Sequence, residues 1–236
     1  WTPIGTDYDN SYTGTFDGGG HTIMGLTVTT NYQYVGLFGR LGEAGTVKNV
    51  VMEGVNNHSL GYAGGVVGFS RGGTIENCSV SGSVSGTMRA GGVVGGQNGA
   101  SITGCSSSAT VKGTLNVGGV AGQTIFGATL TACYATGNVI IEIDRTQNIS
   151  GGGLVGFNDG ISLLSCYATG NVTSTGSSTG YVHIGGFLGD NYTTVTACYW
   201  KNNHEQGIGY NRESTKVTKV DGTSVTWKNA VDAMNT

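Results

Sequence analysis

An all-β chain wound as a right-handed parallel β-helix of about six to seven coils, with a short C-terminal capping helix, is the architecture that three features of this sequence predict. A G-G-x-x-G string recurs along it, a cysteine follows most copies by about ten residues, and 45 of 236 residues are glycine against one proline. The strings are Gly64-Gly65-Val66-Val67-Gly68, Gly91-Gly92-Val93-Val94-Gly95, Gly118-Gly119-Val120-Ala121-Gly122, Gly152-Gly153-Leu154-Val155-Gly156 and Gly185-Gly186-Phe187-Leu188-Gly189. A variant, Val35-Gly36-Leu37-Phe38-Gly39, opens the series. Closing glycines stand at 39, 68, 95, 122, 156 and 189, in steps of 29, 27, 27, 34 and 33 residues. Periods of this length mark stacked repeats, in which a unit buries its apolar face only against its neighbours.

Composition narrows the alternatives. Glycine far exceeds the usual ~7%, yet no strict G-X-Y period accompanies it, which excludes collagen. Hydrophobic residues make up 37% of the chain, too many for a disordered glycine-rich linker. Charged residues are only 11% and the formal net charge is −3. That balance offers no electrostatic footprint for nucleic acid. No apolar run approaches the ~20 residues of a membrane span, so no direct membrane insertion is expected.

Residues 64–86 serve as the template coil. Gly65–Gly68 reads as a short apolar strand, Phe69–Gly73 as a corner, and Thr74–Val80 as a second strand. Cys78 and Val80, two apart, share one face. Ile75 joins that face only if the strand bends between it and Cys78. Ser81-Gly82 turns the chain into a third strand, Ser83–Ser85. Three strands and three corners per coil, paired in parallel with the next coil at roughly 4.8 Å, give a rod on the order of 30 Å long. Parallel crossovers are overwhelmingly right-handed, which sets the predicted hand.

The whole chain, 1–236, reads as one domain, with an opening coil over 1–33, repeat coils over 34–200 and a cap over 201–236. Asp221-Gly222 between two β-prone runs is a hairpin signal. Beyond it Trp227, Ala230, Val231 and Met234 fall at helical spacing, with Thr226 as N-cap, and predict a short helix over about 226–235.

Several strings carry a family resemblance. They are Phe16-Asp17-Gly18-Gly19-Gly20-His21-Thr22-Ile23, Ile75-Glu76-Asn77-Cys78-Ser79-Val80-Ser81-Gly82, Cys133-Tyr134-Ala135-Thr136-Gly137-Asn138-Val139 and Cys166-Tyr167-Ala168-Thr169-Gly170-Asn171-Val172. Over roughly residues 13–210 the chain resembles the GLUG-repeat modules of bacterial cell-surface and secreted proteins, some adhesin-like and some found beside immunoglobulin-cleaving metallopeptidases. The resemblance implies an extracellular, cell-surface location within a larger multidomain chain. It also implies a scaffold or binding role toward a host or cell-surface ligand, a glycan or a protein. It supplies no catalytic residues.

Several residues are candidates for chemistry. Cys78, Cys105, Cys133, Cys166 and Cys198 occupy the same place in successive coils, where a disulfide or metal ladder is conceivable. Val50 holds that place in the first coil, and an odd number cannot all pair, so small buried hydrophobes are expected. Tyr134, Tyr167 and Tyr199 follow the last three cysteines and should point outward as an aromatic ladder, with Trp200 beside the last. Such a ladder either stacks on sugar rings or stiffens the sheet. Sugar-cleaving chemistry needs converging carboxylates. Asp159 and Asp190 occupy similar corners, and Asp7 with Asp9 and Glu142 with Asp144 are local pairs, but none joins a basic groove. His204-Glu205 begins like a zinc-peptidase motif, yet Ile208 stands where its second histidine belongs. The expectation is therefore a non-catalytic stalk or scaffold with no cofactor or metal; the competing reading is a carbohydrate-active β-helix lyase or hydrolase.

Overall fold

The computed structural model describes residues 1–29, 32–127, 129–143, 146–160 and 162–235. Its strands are short and pair in parallel, rung on rung, as a β-helix. Among the described residues they form sheets of six, seven, seven and twelve strands. We number these sheets 1 to 4 in the order the chain visits them. One rung runs through Tyr62–Gly64 in sheet 1, Val67–Arg71 in sheet 2, Thr74–Glu76 in sheet 3 and Ser79–Gly86 in sheet 4. Sheet 4 holds twelve strands because most later rungs break its long strand in two, as at Ser106–Ser107 and Thr110–Gly113.

The rung thus has more corners than the three the sequence suggests. G-G-x-x-G is not one strand: Gly64 ends sheet 1, Val67 begins sheet 2, and the residues between turn the corner. Sterics explain the glycines. A Cβ on Gly64 would lie 2.1 Å from the Val67 carbonyl oxygen, and one on Gly65 would lie 2.4 Å from a Val80 methyl. The corner is closed too tightly for any side chain at either position. Phe69 to Arg71, expected in a corner, continue the sheet 2 strand, and the next turn falls at Gly72-Gly73.

The bend required between Ile75 and Cys78 is present. Asn77 takes the left-handed conformation (φ 50), and Asn49, Ala132, Ser165 and Ala197 do so at equivalent places. After this bend Ile75, Cys78 and Val80 all point inward, at 2% exposure or less. The interior column is continuous: Val47, Ile75, Ile102, Leu130, Leu163 and Val195 lie in register along sheet 3 and are buried. A second, smaller apolar cluster joins Val117 and Ile149 of sheet 1 to Val111, Val139 and Val172 of sheet 4. Fully burying one such side chain contributes about 1.5–3 kcal/mol.

One buried column is polar. Ser70, Gln97, Thr124, Asn158 and Asn191 stack in register inside sheet 2. Thr124 donates to Asn158 Oδ1 at 2.9 Å, Asn158 Nδ2 to Asn191 Oδ1 at 2.8 Å, and Asn191 Nδ2 to Asn211 Oδ1 at 3.1 Å. The Asn158 and Asn191 amides are tolerated because each hands a hydrogen bond to the next rung, whereas Gln97 accepts from the Ala100 amide and its Nε2 has no partner.

At the first rung the N-terminal segment adds bridges from Ile4 to Phe38 and from Tyr12 to Leu41. At the other end the helix spans Trp227–Met234, with Thr226 as N-cap in a reciprocal capping box with Asn229. It lies on the flank of the rod: Trp227 meets Tyr167 edge-on at 5.5 Å, and Ser165 Oγ donates to the Met234 carbonyl at 3.0 Å. Ala230 is buried, but Val231, expected on the inner face, is 47% exposed. The hairpin expected at Asp221-Gly222 does not form. Thr218–Lys219 pairs in parallel with Tyr199–Trp200, and the Asp221 carboxylate instead accepts from the amides of Thr223 and Val225. Hydrogen bonds from Ser224 and these amides hold that carboxyl below the ordinary range.

Candidate functional site

The cysteine column is an internal hydrogen-bond ladder. All five thiols are buried and unbridged. The left-handed residue before each cysteine turns the cysteine amide inward, where it needs an acceptor. The amides of Cys78, Cys105 and Cys133 donate to the sulfurs of Cys105, Cys133 and Cys166, each at 3.4 Å. Each thiol in turn donates to the carbonyl two residues earlier, as Cys78 does to Glu76 at 3.2 Å. The bond with Cys105 and burial push the Cys78 thiol far up, and burial does the same to Cys166. Such thiols are inert.

Tyr134, Tyr167 and Tyr199 stand in register along the outer face of sheet 4. Tyr134 and Tyr167 stack face to face, 4.8 Å apart and 4° from parallel. Trp227 covers part of Tyr167, and Tyr199 is half-buried. Trp200 does not lie beside them: one residue further along the pleat it turns inward, 7% exposed, and packs in the core. Of the four residues, Tyr134 alone is exposed.

A second surface escaped the sequence reading. Around each G-G-x-x-G corner the residues two before the first strand's end and seven later face each other across the outer faces of sheets 1 and 2. The pairs are Tyr62 with Phe69, Arg89 with Gly96, Asn116 with Gln123, Ser150 with Phe157 and His183 with Asp190. Tyr62 and Phe69 rings meet edge-on at 5.2 Å, and His183 Nδ1 donates to Asp190 Oδ1 at 2.6 Å. Ser150 Oγ donates to the other Asp190 oxygen. The result is a groove along the rod. Arg40 packs over Tyr34 and Phe69 at its N-terminal end. Phe157, Tyr192, Tyr210 and His183 line its C-terminal end. Burial, then the Asp190 carboxylate, push the Tyr192 hydroxyl up. The sequence signal is a seven-residue spacing of bulky or polar residues across the glycine corners, broken at Gly96.

The GLUG motif matches at residues 59–85, 86–112 and 147–173. This chain carries GLUG repeats. Each matched stretch is one full rung, entering before sheet 1 and leaving through sheet 4. The chain is 39% identical over 88 residues to halomucin of Haloquadratum walsbyi, a match that covers 37% of the chain and 1% of halomucin. It is 38% identical over 84 residues to a "Putative Gly-rich membrane protein" of Evansella cellulosilytica, covering 34% of the chain and 10% of that protein. The chain therefore spans only a small part of these relatives. In structure it is similar to a "putative immunoglobulin A1 protease" of Bacteroides ovatus, with a TM-score of 0.72 and 22% identity over 93% of this chain and 73% of that one. That likeness establishes the shared fold.

The acidic candidates do not converge. Asp159 and Asp190 are not equivalent: Asp190 pairs in register with Phe157, two positions before Asp159. Asp159 is exposed, whereas Asp190 is 5% exposed in the groove. Asp7 accepts from Asn10 and the Asp9 amide in a local turn, and Glu142 pairs with Lys112 at 2.8 Å. Asp144 lies outside the described residues. Among the described residues no three His, Cys, Asp or Glu side chains gather as a metal site, and no helix is long and apolar enough to cross a membrane.

Proposed function

We propose that this chain is a non-catalytic β-helical module of a secreted bacterial surface protein, acting as an adhesive stalk or ligand-binding scaffold. The observation that carries the proposal is the register of the sheets, kept from rung to rung apart from one shift in sheet 4 between Val80 and Gly82. It places like-positioned side chains in columns along the surface and disperses the carboxylates. The printed names of halomucin and the Gly-rich membrane protein, matched over part of this chain, agree with a surface location. The Tyr134–Tyr167 pair has its facing ring surfaces already occupied by each other, and Trp227 takes more of Tyr167. Its role in this reading is to stiffen sheet 4, worth about 0.5–1.5 kcal/mol for such a pair.

The test is accessibility on cells that produce the full-length protein. Antibody raised against this module should label intact cells as strongly as permeabilised ones. Labelling that needs permeabilisation, in parallel with a cytoplasmic marker, would overturn the reading.

A further inference from the structure

We propose that the groove between sheets 1 and 2 binds a carboxylate-bearing saccharide, a uronic or sialic acid, in the cleft between Arg89 and the Tyr181–Tyr192 wall. This rests on the ligand-binding half of the reading above and gives it a place and a chemical class.

The groove's aromatic lining has a gap two rungs long. Along the outer face of sheet 2 the register column runs Phe69, Gly96, Gln123, Phe157, so for two rungs no ring projects. At one strand spacing per rung the ring-to-ring interval is about 14 Å. Gly96 is required there: an added Cβ would meet the Tyr62 ring at 2.9 Å and Arg89 Cδ at 3.4 Å. Arg89 therefore lies low over Gly96 and forms one wall. Phe157, Tyr181 and Tyr192 form the other, with Asn116 and Asn148 also lining the space. The cavity holds about 290 Å³, near the lower end of small-ligand sites at ~300 Å³.

Charge selects the ligand. The Arg89 guanidinium sits 4.7 Å from the Tyr62 ring centroid and donates to its hydroxyl, while its Nε is buried out of a ligand's reach. No carboxylate of the described residues lies within ion-pair distance of it. Asp190, the acid lining the same cavity, is already matched, one oxygen by His183 and the other by Ser150. The Asp190 oxygens are thus occupied, Arg89 is left in the cleft without an ion-pair partner, and a ligand carboxylate would supply one. One such cation suits a single carboxylate, while the chain's net charge of −3 disfavours a polyanion such as nucleic acid.

The rings supply the rest of the recognition. Tyr181 is 70% exposed and stacks on His183 at 5.8 Å and 20°. His183 stacks on Tyr210 at 5.0 Å and 18°. The outer Tyr181 face is thus backed by two rings and open to the cleft, a platform for the apolar face of a pyranose. The Asn116 amide lines the same space and offers a donor and an acceptor, while Asn148, whose Oδ1 accepts from the Tyr181 amide, offers its Nδ2 donor.

The test is an oligosaccharide array carrying matched neutral, uronic-acid-terminated and sialic-acid-terminated members. The best acidic hit is then titrated against wild type, Arg89→Gln, Tyr181→Ala and Tyr134→Ala. Acidic sugars should be retained over their neutral partners, Arg89→Gln and Tyr181→Ala should each bind at least about tenfold more weakly, and Tyr134→Ala should bind as wild type. Melting curves verify folding, and Tyr181→Ala removes a mostly exposed ring and keeps the inference testable if Arg89→Gln unfolds. Preference for neutral sugars, no retention of acidic ones, or indifference to both cleft variants would overturn the inference. None of these outcomes touches the cell-labelling test, so the cleft and the surface reading fail separately.

Discussion

The main-chain amide of Cys78 donates to the sulfur of Cys105, one rung away, at 3.4 Å. The cysteine column thereby does work that valine or alanine cannot: it accepts the inward amide that the left-handed residue before each cysteine creates. Cys105→Ala should leave the Cys78 amide buried and unpaired and cost about 1–3 kcal/mol beyond the lost packing. Cys105→Ser keeps an acceptor and should cost less. Urea unfolding of the two variants beside wild type measures the difference, and equal losses would refute the role given to sulfur.

Thiol reactivity gives an independent check. With all five cysteines buried and the Cys78 and Cys166 thiols held well above their ordinary range, iodoacetamide at pH 8 should leave the native protein unmodified. In denaturant the mass should rise by five adducts, one for each cysteine in the sequence. Native labelling of any cysteine would contradict its placement in the core.

Corner glycines should separate into two classes. A Cβ on Gly92 would lie 2.0 Å from Ser107 Oγ and 2.3 Å from the Gly119 carbonyl oxygen. Gly92→Ala should therefore cost about 3 kcal/mol or more, at the upper end of overpacking penalties. Gly54 has nothing within 4 Å and only a positive φ of 63. Gly54→Ala should cost about 1–2 kcal/mol, the strain of a left-handed alanine. Thermal melts of the pair decide the matter.

His204 should make stability depend on pH in a defined direction. Burial depresses its pKa below 6.5, against the opposing pull of Glu205 and with a smaller contribution from Lys219. The unfolded chain then takes up the proton more readily than the folded one. The stability it contributes is complete above pH 6.5 and is lost as pH falls through that value toward the folded pKa. His204→Gln should lose less stability than wild type between pH 7 and pH 5, measured by urea unfolding. An identical pH slope in the two proteins would refute the assignment.

Much of the fold was legible in the glycine period and the inward alternation of Val, Ile and Cys, because both are consequences of main-chain pairing. The corner count was not. Gly64 and Gly65 look like strand residues beside Val66 and Val67, and only their distances to Val67 and Val80 reveal a corner. Trp200 was misplaced for a related reason: adjacency to Tyr199 suggested a shared surface, whereas the pleat sends neighbours to opposite sides. The buried Asn158–Asn191–Asn211 column was hidden by polarity, since amides read as surface until a rung above and below satisfies them. The groove stayed unseen because its facing residues, seven apart in sequence, come together only across a corner between two strands, which alternation within either strand does not reveal.

The hydrogen bonds that join sheets 1 and 2 from rung to rung are formed by the main chain. The residues that look into the groove are for the most part spared from holding the rod together. Tyr62, Arg89, Asn116, Ser150 and His183 share one structural position yet differ in size, charge and polarity. A rod built this way is a blank template: its outward text can be rewritten letter by letter, and new specificities can arise while the frame beneath stays unchanged.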